Sequence, residues 1–317
     1  MSHEVEKMAY FGATPWHGLG QKLEEEDLYD VEKAIPKSGL DWTAELVRLC
    51  TVDDHTEVAR FAVRRSTDKK IIGNVGEGYH ILQNIDAFKW FQPFLGARTA
   101  QLHTAGSLRG GSRIWILAKV CGSPLVIAKD DLVERYILLS HSHDGTLAVR
   151  AGFTPIRVLC ANTMALAHSD NASKLIRIKH SKDILQNLEN IRETMNLVNQ
   201  EFEATAEQYR LLATKQINQK DLHKYVKKVL KIEETKDADL STRMKNIITD
   251  ITELCEDGRG NNLPSVKGTY WTAYNGVNEY LSYVRGKSAD NRLNSLWFGE
   301  GATMNKFALE TALEMVA

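Results

Sequence analysis

Residues 113–120 read Arg-Ile-Trp-Ile-Leu-Ala-Lys-Val (RIWILAKV). Successive side chains of a β-strand point to opposite faces. Ile114, Ile116, Ala118 and Val120 therefore share one face, and Arg113, Trp115, Leu117 and Lys119 share the other. The first face is built for a core. The second sets two cations beside an indole. A segment of this kind predicts a strand of an antiparallel sheet with one buried face.

The neighbouring segments extend that sheet. Leu46–Val52, Val58–Arg65 and Lys70–Val75 are short β-branched runs separated by turn residues, the pattern of antiparallel hairpins. Asn84–Leu95 predicts a helix with Asn84 as its N-cap, and Ala100–Thr104 a further strand. Beyond the central stretch, Val133–Ser140, Leu147–Phe153 and Leu175–Lys179 read as strands, with a short helix over 162–168. The first 40 residues read as loop-rich, apart from a short helix at Val31–Ile35.

After residue 180 the period changes. Ile184, Leu188, Ile191, Met195, Val198 and Phe202 are spaced 4, 3, 4, 3 and 4 residues apart, which is a heptad seam. If continued to Ala213, the helix is about 45 Å long. Its seam asks for a partner among the following helices or for an intersubunit contact. Further helices are expected at Lys220–Leu230, Ser241–Glu256, Tyr270–Arg285 and Thr303–Met315, the third of them aromatic and closed by Gly286. The expected class is α+β. An antiparallel sheet with packed helices occupies residues 1–180, and an α-helical region opening with a long heptad-patterned helix occupies 181–317.

Composition narrows the function. The 317 residues carry 43% hydrophobic and 26% charged side chains and a net charge of −1, which is globular and excludes a globally basic chain. The charge is uneven. Residues 98–180 hold 11 Lys/Arg against 5 Asp/Glu, a balance of +6, whereas residues 1–97 hold 11 against 16. The four cysteines form no CxxC pair, which argues against a disulfide framework or a zinc ribbon. The N-terminus has no signal-peptide pattern, and no apolar run is long enough for a membrane helix. The expected location is the cytoplasm.

Three groups of residues are candidates for chemistry. The first is a groove for single-stranded nucleic acid, formed by Arg109, Arg113, Trp115, Lys119, Arg150, Arg157, Lys174, Arg177 and Lys179. Cations neutralise phosphates while an aromatic ring accepts a base, worth roughly 1–3 kcal/mol per base. The competing reading is an ordinary strand face with Trp115 covered by a helix. The second group is His141, His143 and Asp144 with Cys160, a metal or nucleophile arrangement. Against it, Asp144-Gly145 is a hairpin turn signal and Cys160 a small buried residue. The third is His17 within Trp16-His17-Gly18-Leu19-Gly20, for which packing outweighs catalysis. Gly106–Gly111 and Gly299–Gly301 miss the nucleotide-binding patterns and read as turns.

Five blocks carry a resemblance that spans nearly the whole chain. They are TPWHGLG (14–20), GYHILQNIDAFKWFQP (78–93), SHDGTLAVRAGFTPIRVLCANTMALA (142–167), WTAYNGVNEYLSYVRG (271–286) and SLWFGEGATMNKFALETA (295–312). On these blocks the chain resembles the phage/plasmid-like protein family defined by a domain of unknown function. The resemblance implies a mobile-element protein of a bacterial host and no settled activity. At the level of fold alone, hairpins followed by helices look like the core of ring-forming single-strand annealing proteins.

The leading expectation is a single-stranded DNA-binding protein of phage or plasmid origin, acting in recombination or replication, with strand annealing as its more specific form. It would work non-covalently, without a cofactor or metal, and as a homo-oligomer. The first alternative is a protein that binds and modulates a host defence or replication factor. The second is a hydrolase using His141, His143, Asp144 and Cys160, and an enzymatic role is the less favoured.

Overall fold

The strand expected at 113–120 lies in the interior of an antiparallel sheet in the computed structural model. The structure describes residues 5–12, 20–157, 176–195, 199–286, 295 and 299–317, with backbone alone for 154–157, 192–195 and 199–204. The helix expected over 162–168 lies outside the described residues. In chain order the first elements are β1 (Val5–Tyr10), β2 (Gln21–Lys22), α1 (Val31–Lys37), β3 (Ala44–Cys50), β4 (Glu57–Arg65) and β5 (Ile71–Gly76). Next come α2 (Asn84–Lys89), α3 (Gln92–Gly96), β6 (Ala100–Leu108), β7 (Arg113–Val120), β8 (Leu125–Ala128) and β9 (Asp131–Ser142). The chain continues with β10 (Val149–Arg157), β11 (Ile176–Ile178), α4 (Ile184–Met195), α5 (Asn199–Thr214) and α6 (Gln219–Val229). It ends with α7 (Thr242–Asp257), α8 (Tyr270–Glu279) and α9 (Glu300–Val316). The fold is α+β, as expected.

Contacts divide the chain into two compact units. The first takes residues 1–122, 136–153 and 175–197; the second takes 123–135, 154–174 and 198–317. In the first unit the main sheet runs in the order β11-β10-β9-β7-β6-β1-β2, and β3-β4-β5 form a separate antiparallel sheet. One core joins Ile114, Ile116 and Ala118 of β7 to Phe88 of α2, Phe91 between α2 and α3, Leu95 of α3, and Ile184, Leu188 and Ile191 of α4. The first half of the heptad seam is thus buried in the core of the sheet, while the side chains of Met195, Val198 and Phe202 lie outside the described residues. Helix α4, expected to open the helical region, packs with the sheet because that is where its apolar stripe is removed from water. Leu188 is 1% exposed, and truncating such a side chain costs about 2–5 kcal/mol.

Three other expectations are corrected. The N-terminal arm is not all loop: β1 pairs antiparallel with β6 and, briefly, parallel with β2. The helix expected over 84–95 is two helices, α2 and α3, with Pro93 in the first turn of α3. Proline has no N–H to continue a preceding helix and is suited to a first turn. Asn84 is not the N-cap. Gln83 holds that position, and Asn84 is buried.

In the second unit, α8 is buried along its whole length, as its aromatic content predicts. Tyr209, Trp271 and Tyr274 pack ring to ring, with the first two centroids 4.8 Å apart. The Trp271 indole N–H donates to Asp131 Oδ2 at 2.8 Å, so the buried carboxylate has a partner. After α8 the chain widens into a π turn at Tyr280–Val284 and closes at Gly286 with φ 84°, a left-handed end that glycine adopts without strain. Among the described residues no helix is long and apolar enough to cross a membrane.

Candidate nucleic-acid interface

The second face of β7 decides the expected groove. In register, Trp115 lies opposite Gly106 of β6 and Ser140 of β9. The indole occupies the space that Gly106 leaves: a Cβ there would lie 2.5 Å from the Trp115 ring, 2.5 Å from the Lys7 carbonyl oxygen and 2.7 Å from Met8 Cβ. The indole N–H donates to Thr104 Oγ1 at 2.8 Å. Trp115 is left 1% exposed. A ring sealed in this way has no face on which a base can stack.

The expected open face of Arg113, Trp115, Leu117 and Lys119 is therefore corrected. Strand β7 is central and buried on both faces, so the alternation separates two interiors rather than a core from solvent. Arg113 is 9% exposed and donates to Thr146 Oγ1 at 3.2 Å. Asp144 Oδ1 in turn accepts from the Thr146 hydroxyl at 2.6 Å and from its N–H at 2.9 Å. The Asp144-Gly145 turn is a structural joint. Lys119 is half-buried at the far end of the strand.

The remaining cations separate. Arg150 and Arg177 are directly opposed across β10 and β11. Lys179 lies one residue past the end of β11. Val149, Ala151 and Ile178 point the other way, into the core. Among the described residues β11 is the last strand of the sheet, so these cations mark its edge, with Arg177 and Lys179 exposed and Arg150 half-buried. Arg109 is exposed in the β6–β7 turn, in a left-handed conformation with φ 51°. Arg157 closes β10 with its side chain outside the described residues, and Lys174 lies outside them altogether.

The polar cluster also has a different nature from the one expected. His141 and His143 alternate onto the core face of β9, and His180 enters from the end of β11. Ring centroids are 4.9 Å apart for His141 and His143 and 6.0 Å apart for His141 and His180. Tyr79 stacks on His180 at 4.5 Å and donates to the Ser142 carbonyl at 2.6 Å. His143 Nε2 lies 3.0 Å from Asn84 Oδ1. The Asn84 amide donates to the Leu40 and Trp42 carbonyls at 3.1 and 3.2 Å. Its oxygen must then accept, which places the His143 hydrogen on Nε2.

Both histidines are fully buried. Burial holds His141 well below its usual value and brings His143 down to about 3, with His180 adding to each effect. These are neutral imidazoles with no exposed atom to offer a substrate. Among the described residues no three His, Cys, Asp or Glu side chains have the geometry to hold a metal, so His141, His143 and Asp144 do not form the metal centre considered from sequence. Cys160 and His17 lie outside the described residues. Tyr79 and His180 were not singled out from sequence and Asn84 was read only as a helix N-cap, and only the folded register gathers them.

The model of the family described as "Domain of unknown function (DUF932)" matches residues 71–297. This chain belongs to the DUF932 family. The DUF932 segment begins at Ile71, the first residue of β5, and includes the β10–β11 edge, the histidine cluster and α8. Strands β1–β4 and helix α9 fall outside it. No curated protein and no solved structure matches this DUF932 chain.

Proposed function

We propose that this DUF932 protein is a non-catalytic binder of single-stranded nucleic acid, in which the β10–β11 edge holds phosphates and Trp115 takes no part. The observation that carries the reading is the Arg150–Arg177 pair, directly opposed across two strands, with Lys179 exposed one residue past the end of β11. Cations aligned along a strand pair neutralise the phosphates of a polyanion laid beside them and release its counterions. The +6 balance of residues 98–180 supports the same reading. The resemblance to phage and plasmid proteins supports a role in recombination or replication in a bacterial cytoplasm, with strand annealing as its specific form. A second copy placed beside β11 would lengthen the basic line.

Fluorescence anisotropy with labelled single- and double-stranded oligonucleotides at two salt concentrations tests the proposal. Single strands are expected to bind, and to bind less tightly at the higher salt. The Arg150→Glu/Arg177→Glu variant is expected to flatten the log–log salt slope by roughly 0.7 for each phosphate that the edge no longer neutralises. A folded variant with unchanged affinity and slope would show the edge to be the wrong surface.

A further inference from the structure

Within the helical unit, the end of α6, the first turns of α7 and α9, and the π turn after α8 line a groove of about 960 Å³. That volume is of the order taken up by small-molecule sites. Its apolar lining includes the Tyr280 and Phe307 rings and the Met244 and Met304 thioethers. Its charges do not balance: Lys231, Arg243 and Arg285 share the groove with one carboxylate, Glu300.

Glu300 is committed to Arg285, whose Nη2 lies 2.9 Å from it. Among the described residues, no carboxylate pairs with Lys231 or Arg243. Lys231 instead sits 5.3 Å from the centre of the Phe307 ring, on a left-handed backbone with φ 58°. Arg285 and Arg243 lie close enough to the Tyr280 hydroxyl to oppose the upward push of burial on it, to which Asp250 adds.

Backbone dipoles add to this field. Arg243 lies in the first turn of the 16-residue α7, and Glu300 and Thr303 in the first turns of the 17-residue α9. Helix N-termini attract anions. The N-cap of α9, Gly299, has no side chain to offer its amides, although Ser295 Oγ accepts from Gly301 N–H at 3.0 Å. The π turn is a rare element that recurs at functional sites.

We infer that this groove binds a small organic phosphate with a flat apolar body, of the nucleoside monophosphate class. A phosphate monoester carries nearly two negative charges at neutral pH and so matches Lys231 and Arg243 together, where a carboxylate would leave one of them unneutralised. A guanidinium binds phosphate through two parallel N–H···O bonds. The half-buried Phe307 ring and the two thioethers accept a heterocycle by stacking and by adapting to its outline. None of these residues belongs to the β10–β11 edge, so this inference stands apart from the polynucleotide reading.

Calorimetric titration of the full chain with adenosine monophosphate, inorganic phosphate, adenosine and dodecanoate tests it. Adenosine monophosphate is expected to bind saturably at one site, and each half of the molecule alone to bind at least about tenfold more weakly. Arg243 is exposed, so Arg243→Glu is expected to keep the melting temperature while weakening the nucleotide roughly tenfold or more. Arg150→Glu/Arg177→Glu is expected to leave nucleotide binding unchanged. The inference is overturned if the nucleotide gives no binding, if Arg243→Glu binds it as the parent does, or if dodecanoate binds and the nucleotide does not.

Discussion

Acid should unfold this protein through its buried histidines before its carboxylates titrate. His143 has a usual value of 6.5, which it regains in the unfolded chain, and about 3 when folded. At pH 5 the unfolded state has taken up that proton and the folded state has not, so protonation favours unfolding. Stability from this depressed histidine is fully present above 6.5 and is lost as pH falls from there through about 3. The gap of 1.5 units between 6.5 and pH 5 corresponds to about 2 kcal/mol at about 1.36 kcal/mol per unit, a large fraction of a typical 5–15 kcal/mol. His141 is shifted in the same direction and adds to the loss. Asp54 and Asp68, held at about 2 by their hydrogen bonds, contribute stability that is present above 3.8 and lost as pH falls from there through about 2, below the interval from pH 7 to pH 5. Urea denaturation at pH 7 and pH 5, on the parent and on His143→Gln, is the assay. The parent is expected to lose about 2 kcal/mol more than the variant over that interval. Equal losses in the two proteins would refute the assignment of a neutral, buried His143.

Three further outcomes are expected. Gly106→Ala should cost about 1–3 kcal/mol by overpacking, and Trp115→Phe in the same chain should return part of it, a coupling that a double-mutant cycle in urea reads directly. Arg65 holds Glu6 through two bonds of 2.9 and 2.8 Å and Asp68 through two of 2.9 and 2.7 Å. Arg65→Met should lower stability by about 2–3 kcal/mol, less than the 3–5 of a fully buried pair, because the Asp68 side chain is 47% exposed and regains water. Asn84→Leu leaves two buried carbonyls and the His143 N–H without partners, and should cost about 3 kcal/mol or more by chemical denaturation.

How much was legible in the sequence depended on the range of the interaction. The span of β7 was readable to the residue, and so was which side chains share a face, because period-2 alternation is local. What covers each face is not local. The depth of Trp115 depends on Gly106, and that pairing exists only once β6 and β7 are in register. The same limit explains the histidine site: Asn84, His143 and His180 meet across long sequence separations. Asn84 has the chemistry of a cap, and nothing nearby in sequence shows that its amide is instead spent on Leu40 and Trp42. Strand β1 was missed because its pairing with β6 shifts register between Val5 and Lys7, and a bulge breaks the alternation by which strands are recognised. The β10–β11 cations were legible as a charge imbalance, but not as an edge.

The family boundary at Ile71 cuts between β4 and β5. Among the described residues, strand β5 takes its ladder bonds from β4 alone, and the core below it draws on Leu40, Trp42 and Val63. A fragment trimmed to 71–297 would bare a row of amides and carbonyls along β5 and uncover apolar side chains beneath them, a template for strand-to-strand clumping. It would also lose Ala308, whose carbonyl accepts the Tyr225 hydroxyl at 3.1 Å. Expression trials of this protein should therefore begin well upstream of the matched segment and carry α9 to its end.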